Sequence, residues 1–480
     1  MSQNKIGVDQ WVEQYDQRVN KAKGLQGFIA RTSQRLPPWG WLIVLVAVGA
    51  LLPVITQNNF AIRIAGNIAL MGTLALGLNV VVGYAGLLDL GFVAFYGIGA
   101  YTYAYLSSDF SGVHLPTWVS LPIIIVISAL FGLVLGSPSL RLLGDYLAIV
   151  TLGFGQIFVQ LMTSLTRVSL PGHERPVDLT GGPNGIINLD KLSLFGFTAR
   201  TVTDHYLILL VVLAVALLVI YHLNRSRIGR AWRALREDEL AAEAMGMPTR
   251  RLKLQAFAIG AAVAGFSGAL FAGWQGSVFP ANFDTTLLIS VYAIIVLGGL
   301  GSLPGVVVGS IVMVAAPDIL RDVTLAGTLF YVGVLVTLIG AIRPRWQTAL
   351  LIGLVVVFGV IVRLIVGALD AQALAEPQLS NSLITNTVRS WLIIPVNATI
   401  IGNYAFGLLI LMVLGVSRIK HSVWRLAALV PTLYVLIFVW ETRLSQEPSV
   451  TRLLFVGVLL IVLMIYRPNG LLGQKRVEIV

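Results

Sequence analysis

The chain has 480 residues, of which 57% are hydrophobic and 11% charged, whereas a soluble domain has about 45–50% apolar and about 25% charged residues. This composition predicts an integral membrane protein and leaves no polar stretch long enough for a separate soluble domain. The absence of cysteine excludes disulfides, thiolate metal sites and a cysteine nucleophile, and the net charge of +11 fits the basic loops of a membrane protein better than a nucleic-acid-binding surface.

The polar segment of residues 1–38 precedes the first apolar run and carries six Lys and Arg residues. Its apolar side chains recur at spacings that predict a short amphipathic helix on the membrane surface. They are Ile6, Val8, Trp11, Val12, Tyr15 and Val19. We interpret the segment as a cytoplasmic interfacial anchor, and the first apolar run, which no cleavage pattern follows, as a retained span.

About 14 apolar segments follow, and most are long enough to cross about 30 Å of hydrocarbon as helices. They predict an all-α polytopic membrane protein, because a single apolar segment satisfies its own backbone polar groups only as a helix. The segments are Trp39–Ile55, Ala61–Val82, Tyr84–Leu106, Trp118–Leu135, Tyr146–Leu165, Tyr206–Leu223, Leu254–Trp274, Leu287–Leu300, Gly305–Leu320, Leu325–Ile342, Ala349–Ala368, Trp391–Val416, Val423–Trp440 and Leu453–Tyr466.

The basic residues between these segments predict the orientation of the chain. The loop of residues 225–253 carries eight Lys and Arg residues against four acids, and further basic clusters lie at 343–346, 417–425 and 467–476. When the segments are counted as spans, all of these clusters and the N-terminal segment fall on one side. Because basic loops stay in the cytoplasm, we expect a multi-pass protein with both termini cytoplasmic.

The stretch GYAGLLDLGFVAFYGIG at 83–99 holds five glycines and one carboxylate, Asp89, in an otherwise apolar setting. Glycine disfavours a helix interior, and a carboxylate at membrane depth is costly unless it faces protein or water. We therefore expect a kinked or partly re-entrant segment beside a polar path. Two hypotheses for Asp89 stay open: it faces an aqueous vestibule, or it pairs with a neighbour such as Arg141 or Arg63.

The loop of residues 168–204 lies outside in this orientation and contains DLTGGPNGI at 178–186. Its run of Gly, Pro and Asn residues predicts a tight and specific turn. Two interpretations stay open, a plain turn and a docking or gating surface for an external binding protein.

The loop SRIGRAWRALREDELAAEAMGMPTRRLKLQAFAIG at 226–260 predicts a short helix over Glu237–Met245, with acids in its first turn where the helix dipole favours them. Gly246 and Pro248 predict its end. One side of this helix is small and apolar, and consists of Leu240, Ala241, Ala244 and Met245. Such a helix inserts into a groove of another protein or lies on lipid headgroups, and composition leaves both open.

The string REDELAAEAMGMP at 236–248 resembles the coupling-helix region of the permease subunits of ATP-binding-cassette (ABC) importers. Together with five other stretches, it is similar in order to the LivM-type permeases of branched-chain amino-acid importers, a family that also includes urea and amide permeases. The other stretches are GYAGLLDLGFVAFYGIGAYT (83–102), GDYLAIVTLGFGQI (144–157), DLTGGPNGI (178–186), IVLGGLGSLPGVVVGS (295–310) and YRPNGLLG (466–473). The chain departs from the family pattern at Asp89, where a small polar residue is usual, and at Phe92 and Val93, where His-Ala is frequent.

The resemblance implies an ABC importer permease with about 10 family-core transmembrane segments and about four extra ones near the C-terminus. It implies three sets of functional residues. Coupling to the ATPase would use Arg236, Glu237, Asp238, Glu239, Ala241, Ala242, Glu243 and Gly246. The translocation path would include Tyr84, Gly86, Asp89, Gly91, Gly153 and Gly155. An outer gate or binding-protein docking surface would include Gly181, Gly182 and Asn184.

The resemblance also implies the partners and the place of the chain. No G-x-x-x-x-G-K-[S/T] phosphate loop occurs in the sequence, so ATP and Mg would be bound by partner subunits, and we expect no cofactor, metal or catalytic residue in this chain. The expected partners are a homologous second permease subunit, two ATP-binding-cassette subunits, a periplasmic substrate-binding protein and the lipid bilayer, without nucleic acid. The expected location is the inner (plasma) membrane of a bacterial-type cell.

The predicted organisation has four parts. Residues 1–38 form the cytoplasmic N-terminal segment, and 39–322 form the permease core with its outer loop 168–204 and coupling loop 224–253. Residues 323–449 form inserted transmembrane hairpins whose even number of segments keeps the C-terminus inside. Residues 450–480 form the final span and a cytoplasmic tail.

The expected function is ATP-driven import of amino acids, branched-chain or broadly neutral, by a subunit that is not itself an enzyme. One alternative is a permease for urea or short amides. Another, from a different class, is an ion-coupled secondary transporter that uses Asp89 as its cation-binding carboxylate beside glycine-broken helices. A self-contained carrier has no need of the coupling loop, which argues against it.

Overall fold

The computed structural model describes residues 40–56, 58–139, 145–166, 168, 178–194, 196–319, 323–341, 345–369, 383–419, 422–444, 457–458, 460–461 and 470–472. The chain divides into two compact units, the first Met1–Val312 with Arg467–Val480 and the second Met313–Tyr466. The predicted surface helix of residues 1–38 and most of the predicted span Leu453–Tyr466 lie outside the described residues. The four-part organisation stays a prediction.

The described part of the chain is mainly helical. Its α-helices are α1 (Gly40–Ile55), α2 (Asn59–Leu78), α3 (Phe92–Leu106), α4 (Thr117–Ser139), α5 (Asp145–Ser164), α6 (Val202–Arg225), α7 (Arg227–Glu237), α8 (Glu239–Ala244), α9 (Thr249–Gln275), α10 (Thr285–Gly298), α11 (Leu303–Ile319), α12 (Val323–Ala341), α13 (Arg345–Leu369), α14 (Leu383–Trp391), α15 (Ala398–Arg418) and α16 (Ser422–Val439). Two π-helical segments, Asn79–Tyr84 and Trp440–Leu444, continue α2 and α16.

Nine helices of the described residues are long and apolar enough to cross a membrane, and three shorter apolar helices accompany them at Leu45–Ile55, Leu303–Asp318 and Ala326–Gly340. The prediction of an all-α polytopic membrane protein is therefore confirmed. Two predicted segments are not among these helices. One is Leu453–Tyr466, which lies mostly outside the described residues, and the other is Tyr84–Leu106.

The predicted segment Tyr84–Leu106 is not one continuous helix, as the expectation of a kinked segment anticipated. The π-helical segment ends at Tyr84, and α3 begins only at Phe92. Between them Gly86 adopts a φ of 73°, a left-handed conformation that glycine tolerates and that ends the helical run. The backbone stays satisfied across the break, because the N–H of Leu87 donates to the carbonyl of Val81 at 3.0 Å.

The core of the first unit is built around α9, which packs against α2, α3 and α4. Small residues let the helix backbones touch. A Cβ on Gly99 of α3 would overlap the backbone of Gly265 of α9, and one on Gly268 would overlap the carbonyl of Tyr96. Close approach at small residues is the usual way in which helices associate inside a membrane.

The second unit contains a buried polar cluster beside its apolar core. Glu441, in the π-helical segment after α16, accepts a hydrogen bond of 2.6 Å from the hydroxyl of Tyr331 and lies 2.8 Å from Nε of Arg389. The rings of Phe330 and Trp440 stack beside it at a centroid distance of 4.0 Å. The cluster thus joins α12, α14 and the end of α16.

Three short antiparallel strand pairs organise the loops of the first unit. They are Ser107–Ser108 with Val113–His114, Ile186–Ile187 with Ser277–Val278, and Ser193–Leu194 with Phe197–Thr198. The loop between α5 and α6 is fastened to α3, because the hydroxyl of Tyr103 donates to the carbonyl of Asp190 at 3.0 Å. These pairs tie the loops that follow α3, α5 and α9 into one surface.

Candidate functional site

The loop between α6 and α9 contains two short helices separated by one extended residue. Asp238 has a φ of −156°, and its carboxylate accepts a hydrogen bond of 3.0 Å from the N–H of Ala241, which caps α8. The prediction of a single helix over Glu237–Met245 is therefore wrong at its start. Glu237 ends α7, and only Glu239 lies in the first turn of α8, because the Asp238 side chain stabilises a helix start instead of a helix interior.

The sequence correctly predicts that Gly246 ends α8. Gly246 has a φ of 79°, and its N–H donates to the carbonyl of Glu243 at 2.9 Å. The N–H of Met247 reaches the carbonyl of Ala242 at 3.1 Å. This pair of bonds is the Schellman arrangement, which needs a left-handed residue after the helix and explains why glycine stands there.

Two contacts that the sequence analysis missed hold α7 and α8 on α9. Nζ of Lys253, a buried residue of α9, lies 2.5 Å from a carboxylate oxygen of Glu239. Nε1 of Trp232, a fully buried residue of α7, donates to the carbonyl of Leu252 at 2.9 Å. Two features of the sequence could have indicated these contacts: a tryptophan inside a basic loop, Trp232, and a lysine near the start of an apolar helix, Lys253.

The small apolar side of α8 faces away from the other residues that the structure describes. Leu240 is 78% exposed and Met245 is 81% exposed, and Ala241 and Ala244 are also exposed. The predicted coupling residues Glu237, Asp238 and Glu243 are exposed as well, whereas Ala242 is buried. The structure thus presents an anchored helix with an uncovered apolar side and acids at its edge.

Arg236, at the end of α7, joins this loop to the ends of the spans. Its guanidinium donates to the carbonyl of Gly83, and its side chain packs on Gly86. Close by, the side-chain oxygen of Asn79 accepts a hydrogen bond of 2.8 Å from the N–H of Gly301, in the turn between α10 and α11. Arg236, a predicted coupling residue, is therefore in direct contact with Gly86, a predicted path residue.

Of the other predicted path residues, Gly91 and Gly155 lie together and Gly153 does not. A Cβ on Gly91 would overlap the carbonyl of Thr151 in α5, and the Cβ position of Gly155 lies 3.5 Å from Cα of Gly91. Gly153 is on the other side of α5, where no described residue outside its own helix backbone has a heavy atom within 4 Å of its Cβ position. Tyr84 is buried in the first unit.

Asp89 is buried in the break between the π-helical segment and α3, with 1% of its surface exposed. One carboxylate oxygen accepts the N–H of Gly91 at 2.9 Å, and the backbone carbonyl of Asp89 accepts the hydroxyl of Tyr292 at 2.6 Å. The described residues show neither an open vestibule at this carboxylate nor an ion pair with Arg63, which is exposed in α2. Arg141 lies outside the described residues.

The turn DLTGGPNGI adopts backbone conformations that require its glycines. Gly181, Gly182 and Gly185 have φ values of 69°, 52° and 62°. The carboxylate of Asp178 accepts the N–H of Gly181 at 2.8 Å and fixes the entry to the turn. Asn184 is exposed at its tip. The tight turn is confirmed, whereas its use as a docking or gating surface stays a prediction.

A known protein family matches more than half of the chain, including the loop that holds α7 and α8. Residues 60–358 match the family described as branched-chain amino acid transport system / permease component. The match begins at the start of α2 and ends within α13, so it includes α7, α8 and the break at Asp89. No solved structure matches the chain significantly.

Individual relatives are named as permease proteins of the same transport system, LivM or LivH. The chain is 44% identical over 272 residues to the high-affinity branched-chain amino acid transport system permease protein LivM of Escherichia coli K12, covering 52% of this chain and 61% of the relative. It is 40% identical over 305 residues to LivM of Salmonella typhimurium, covering 59% and 68%. The permease protein LivH of Escherichia coli K12 is 31% identical over 159 residues, covering 33% and 48%. The chain therefore belongs to the family of branched-chain amino acid transport system permease components.

Proposed function

We propose that this chain is the transmembrane permease subunit of an ATP-driven ABC importer for amino acids, branched-chain or broadly neutral. The observation that carries the proposal is α8, a short helix that is anchored to a span on one side and exposes its apolar side on the other. A helix of this kind is suited to a groove on a partner protein. The family membership makes an ATP-binding subunit the expected owner of that groove.

The contacts around α8 give it a mechanical role. The ion pair of Glu239 with Lys253 and the hydrogen bond from Trp232 make α8 move with α9. Arg236 extends the connection to Gly83, at the end of the span that begins at Asn59. A displacement of α8 by an ATPase would thus reach the break at Asp89 and the spans around it, and would favour one of two arrangements of the path.

ATP and Mg belong to the partner subunits in this proposal, and the chain itself contributes binding, anchoring and the path. The further partners are a homologous second permease subunit and a periplasmic substrate-binding protein. Relatives named LivM and LivH, two permease proteins, support the first of these. The binding protein docks at the turn of Gly181, Gly182 and Asn184, and the protein lies in the inner membrane with both termini cytoplasmic.

Co-purification tests the proposal at α8. The double substitution Leu240→Glu and Met245→Glu places two charges on the exposed apolar side without touching a buried residue. We expect the ATP-binding subunits to be lost from the purified complex and uptake to stop, while the yield of the folded chain stays unchanged.

A matched control uses Ile187→Glu, which changes another exposed apolar residue in the loop between α5 and α6. This variant should keep its ATP-binding subunits. Normal retention of these subunits by the α8 variant, with normal uptake, would show that α8 is not the coupling helix.

A further inference from the structure

The exposed face of α5 has a polar half and an apolar half. α5 is long and apolar enough to cross a membrane, and only 22% of the residues in its apolar span are buried. The polar half, which we call the polar stripe, consists of Gly153, Gln156 and Gln160, and the exposed Ile149 precedes it in the same row of the helix. The apolar half consists of Val150, Ile157 and Leu161. At 3.6 residues per turn the two halves run side by side along the helix.

Contacts on the opposite face fix the rotation of α5. The hydroxyl of Thr151 accepts the N–H of Leu90 at 2.9 Å. The ring of Phe158 packs against the ring of Phe283 with centroids 6.0 Å apart. Because these contacts hold one face of α5 against the break at Asp89 and against Phe283, the polar stripe on the opposite face cannot turn inward to find partners within the unit.

The two glutamines are only partly satisfied by the residues that the structure describes. Nε2 of Gln156 donates to the hydroxyl of Thr285, at the start of α10, at 2.8 Å. Nε2 of Gln160 donates to the hydroxyl of Ser164 at 3.3 Å. A glutamine amide has a second N–H and two acceptor sites. Lipid tails offer none of the missing partners, and polar groups at membrane depth face protein or water.

The polar stripe has the chemistry of a surface that a solute passes. No Asp, Glu, Lys or Arg occurs between Tyr146 and Ser164, so the polar groups of the stripe are neutral amides, joined by the hydroxyl of Thr285. Such groups exchange hydrogen bonds with the ammonium and carboxylate of a zwitterion, and they bind weakly enough for it to leave again. Gly153 leaves open space at the same surface.

We propose that the polar stripe lines a water-filled path through the membrane and hydrogen-bonds a zwitterionic solute as it crosses. The inference rests on the proposed function and identifies one wall of the translocation path of that permease. The apolar half of the same face contacts lipid. Thr285 extends the wall onto α10.

The absence of cysteine from the chain makes a direct test possible. Single cysteines replace Gln156 and Gln160 in the polar stripe, and Ile157 and Leu161 in the apolar half. The assembled importer in membrane vesicles is treated with the charged thiol reagent MTSES. We expect Gln156→Cys and Gln160→Cys to react at least about tenfold faster than the two controls, because an apolar surrounding raises a thiol pKa and removes the reactive thiolate. Modification at the stripe should also reduce uptake.

Gly153→Cys serves as a third stripe position if a glutamine variant fails to assemble, because its Cβ position is open. Equal reactivity of stripe and control cysteines, whether slow or fast, would overturn the proposal. ATP-dependent uptake is measured on the same vesicles before labelling. Loss of ATP dependence refutes the proposed function, whereas ATP-dependent uptake with unreactive stripe cysteines refutes this inference alone.

Discussion

The two units of the molecule hold their helices together by different means. In the first, 72% of the residues in the apolar part of the central helix Asn59–Tyr84 and 67% of those in Thr249–Gln275 are buried, whereas outer helices such as Tyr146–Ser164 reach only 22%, and glycines bring helix backbones into contact. In the second, the corresponding shares are 39% for Trp424–Thr442, 17% for Trp346–Leu369 and 11% for Ile400–Arg418, so it has no equally buried central helix among its described spans. Among the described residues, several glycines there have no heavy atom from another element within 4 Å of their Cβ positions; these are Gly333, Gly340, Gly353, Gly407 and Gly415.

The difference follows from the forces available inside a membrane. Lipid tails are as apolar as leucine, so helices associate through close packing or through polar contacts between them. The first unit, which contains the loop between α6 and α9, uses close packing around α9. The second unit, most of which lies beyond the family match at residue 358, adds to its apolar contacts the buried polar cluster of Tyr331, Arg389 and Glu441. The two units should therefore fail under different substitutions.

The largest effect is expected in the second unit, from Glu441→Ala. Removal of this carboxylate leaves the guanidinium of Arg389 and the hydroxyl of Tyr331 without their shared partner. Breaking one partner of a buried ion pair costs about 3–5 kcal/mol. Thermal unfolding of the purified chain in detergent should show this loss.

The control for this variant removes both charges. Glu441→Leu together with Arg389→Met replaces the pair by apolar side chains, and Tyr331→Phe removes the hydroxyl that would otherwise lose its acceptor; such replacements of a buried ion pair are often neutral. The triple variant should recover most of the stability. If the single variant unfolds like the parent chain, the cluster does not hold the second unit together.

A smaller loss is expected in the first unit, from Gly99→Val. The added side chain would overlap the backbone of Gly265 and push α3 away from α9. Overpacking of this kind costs about 1–3 kcal/mol. Gly407→Val, in the open part of α15, is the matched control and should be neutral. Equal tolerance at both positions would contradict the distinction between the units.

The smallest effect concerns the loops of the first unit and depends on pH. The imidazole of His114 lies 2.8 Å from a carboxylate oxygen of Asp190 and 3.3 Å from one of Asp109, and the hydrogen bond to Asp190 raises the pKa of His114 above its usual 6.5. The contact therefore stabilises the loops fully below pH 6.5 and is lost as the pH rises through the raised pKa.

Hydrogen exchange measures this effect at the N–H of Asp190, which donates to the carbonyl of Ser107. The exchange rate of the parent chain, divided by that of His114→Asn, should rise as the pH passes the raised pKa. A ratio that does not change with pH would show that the His114 contact does not fasten these loops.

Local chemistry explains which features were predictable from the sequence. Gly246 ends α8 because a left-handed residue is needed there, and the family pattern points to the same position. The glycines of the 178–186 turn and the break before Phe92 follow from the same property of glycine. The start of α8 was placed wrongly, since an acid that caps a helix and an acid in its first turn look alike in sequence.

Contacts between distant segments account for what the sequence did not reveal. Arg389 and Glu441 are 52 residues apart, and nothing in either segment names the other as its partner. Asp89 is buried and does not pair with Arg63. This burial likewise depends on how α5 and α10 pack against the break between the π-helical segment and α3. The polar stripe had a local signal, two glutamines four residues apart in an apolar helix, but their exposure is a property of the packed unit.

Uptake of labelled leucine by the complete complex tests the central claim most directly. The complex is reconstituted in vesicles with the binding protein outside, and the ion gradients are held constant while the enclosed ATP is removed. We expect uptake to stop without ATP although the gradients remain. Undiminished uptake under that condition would contradict ATP-driven import and would favour an ion-coupled carrier.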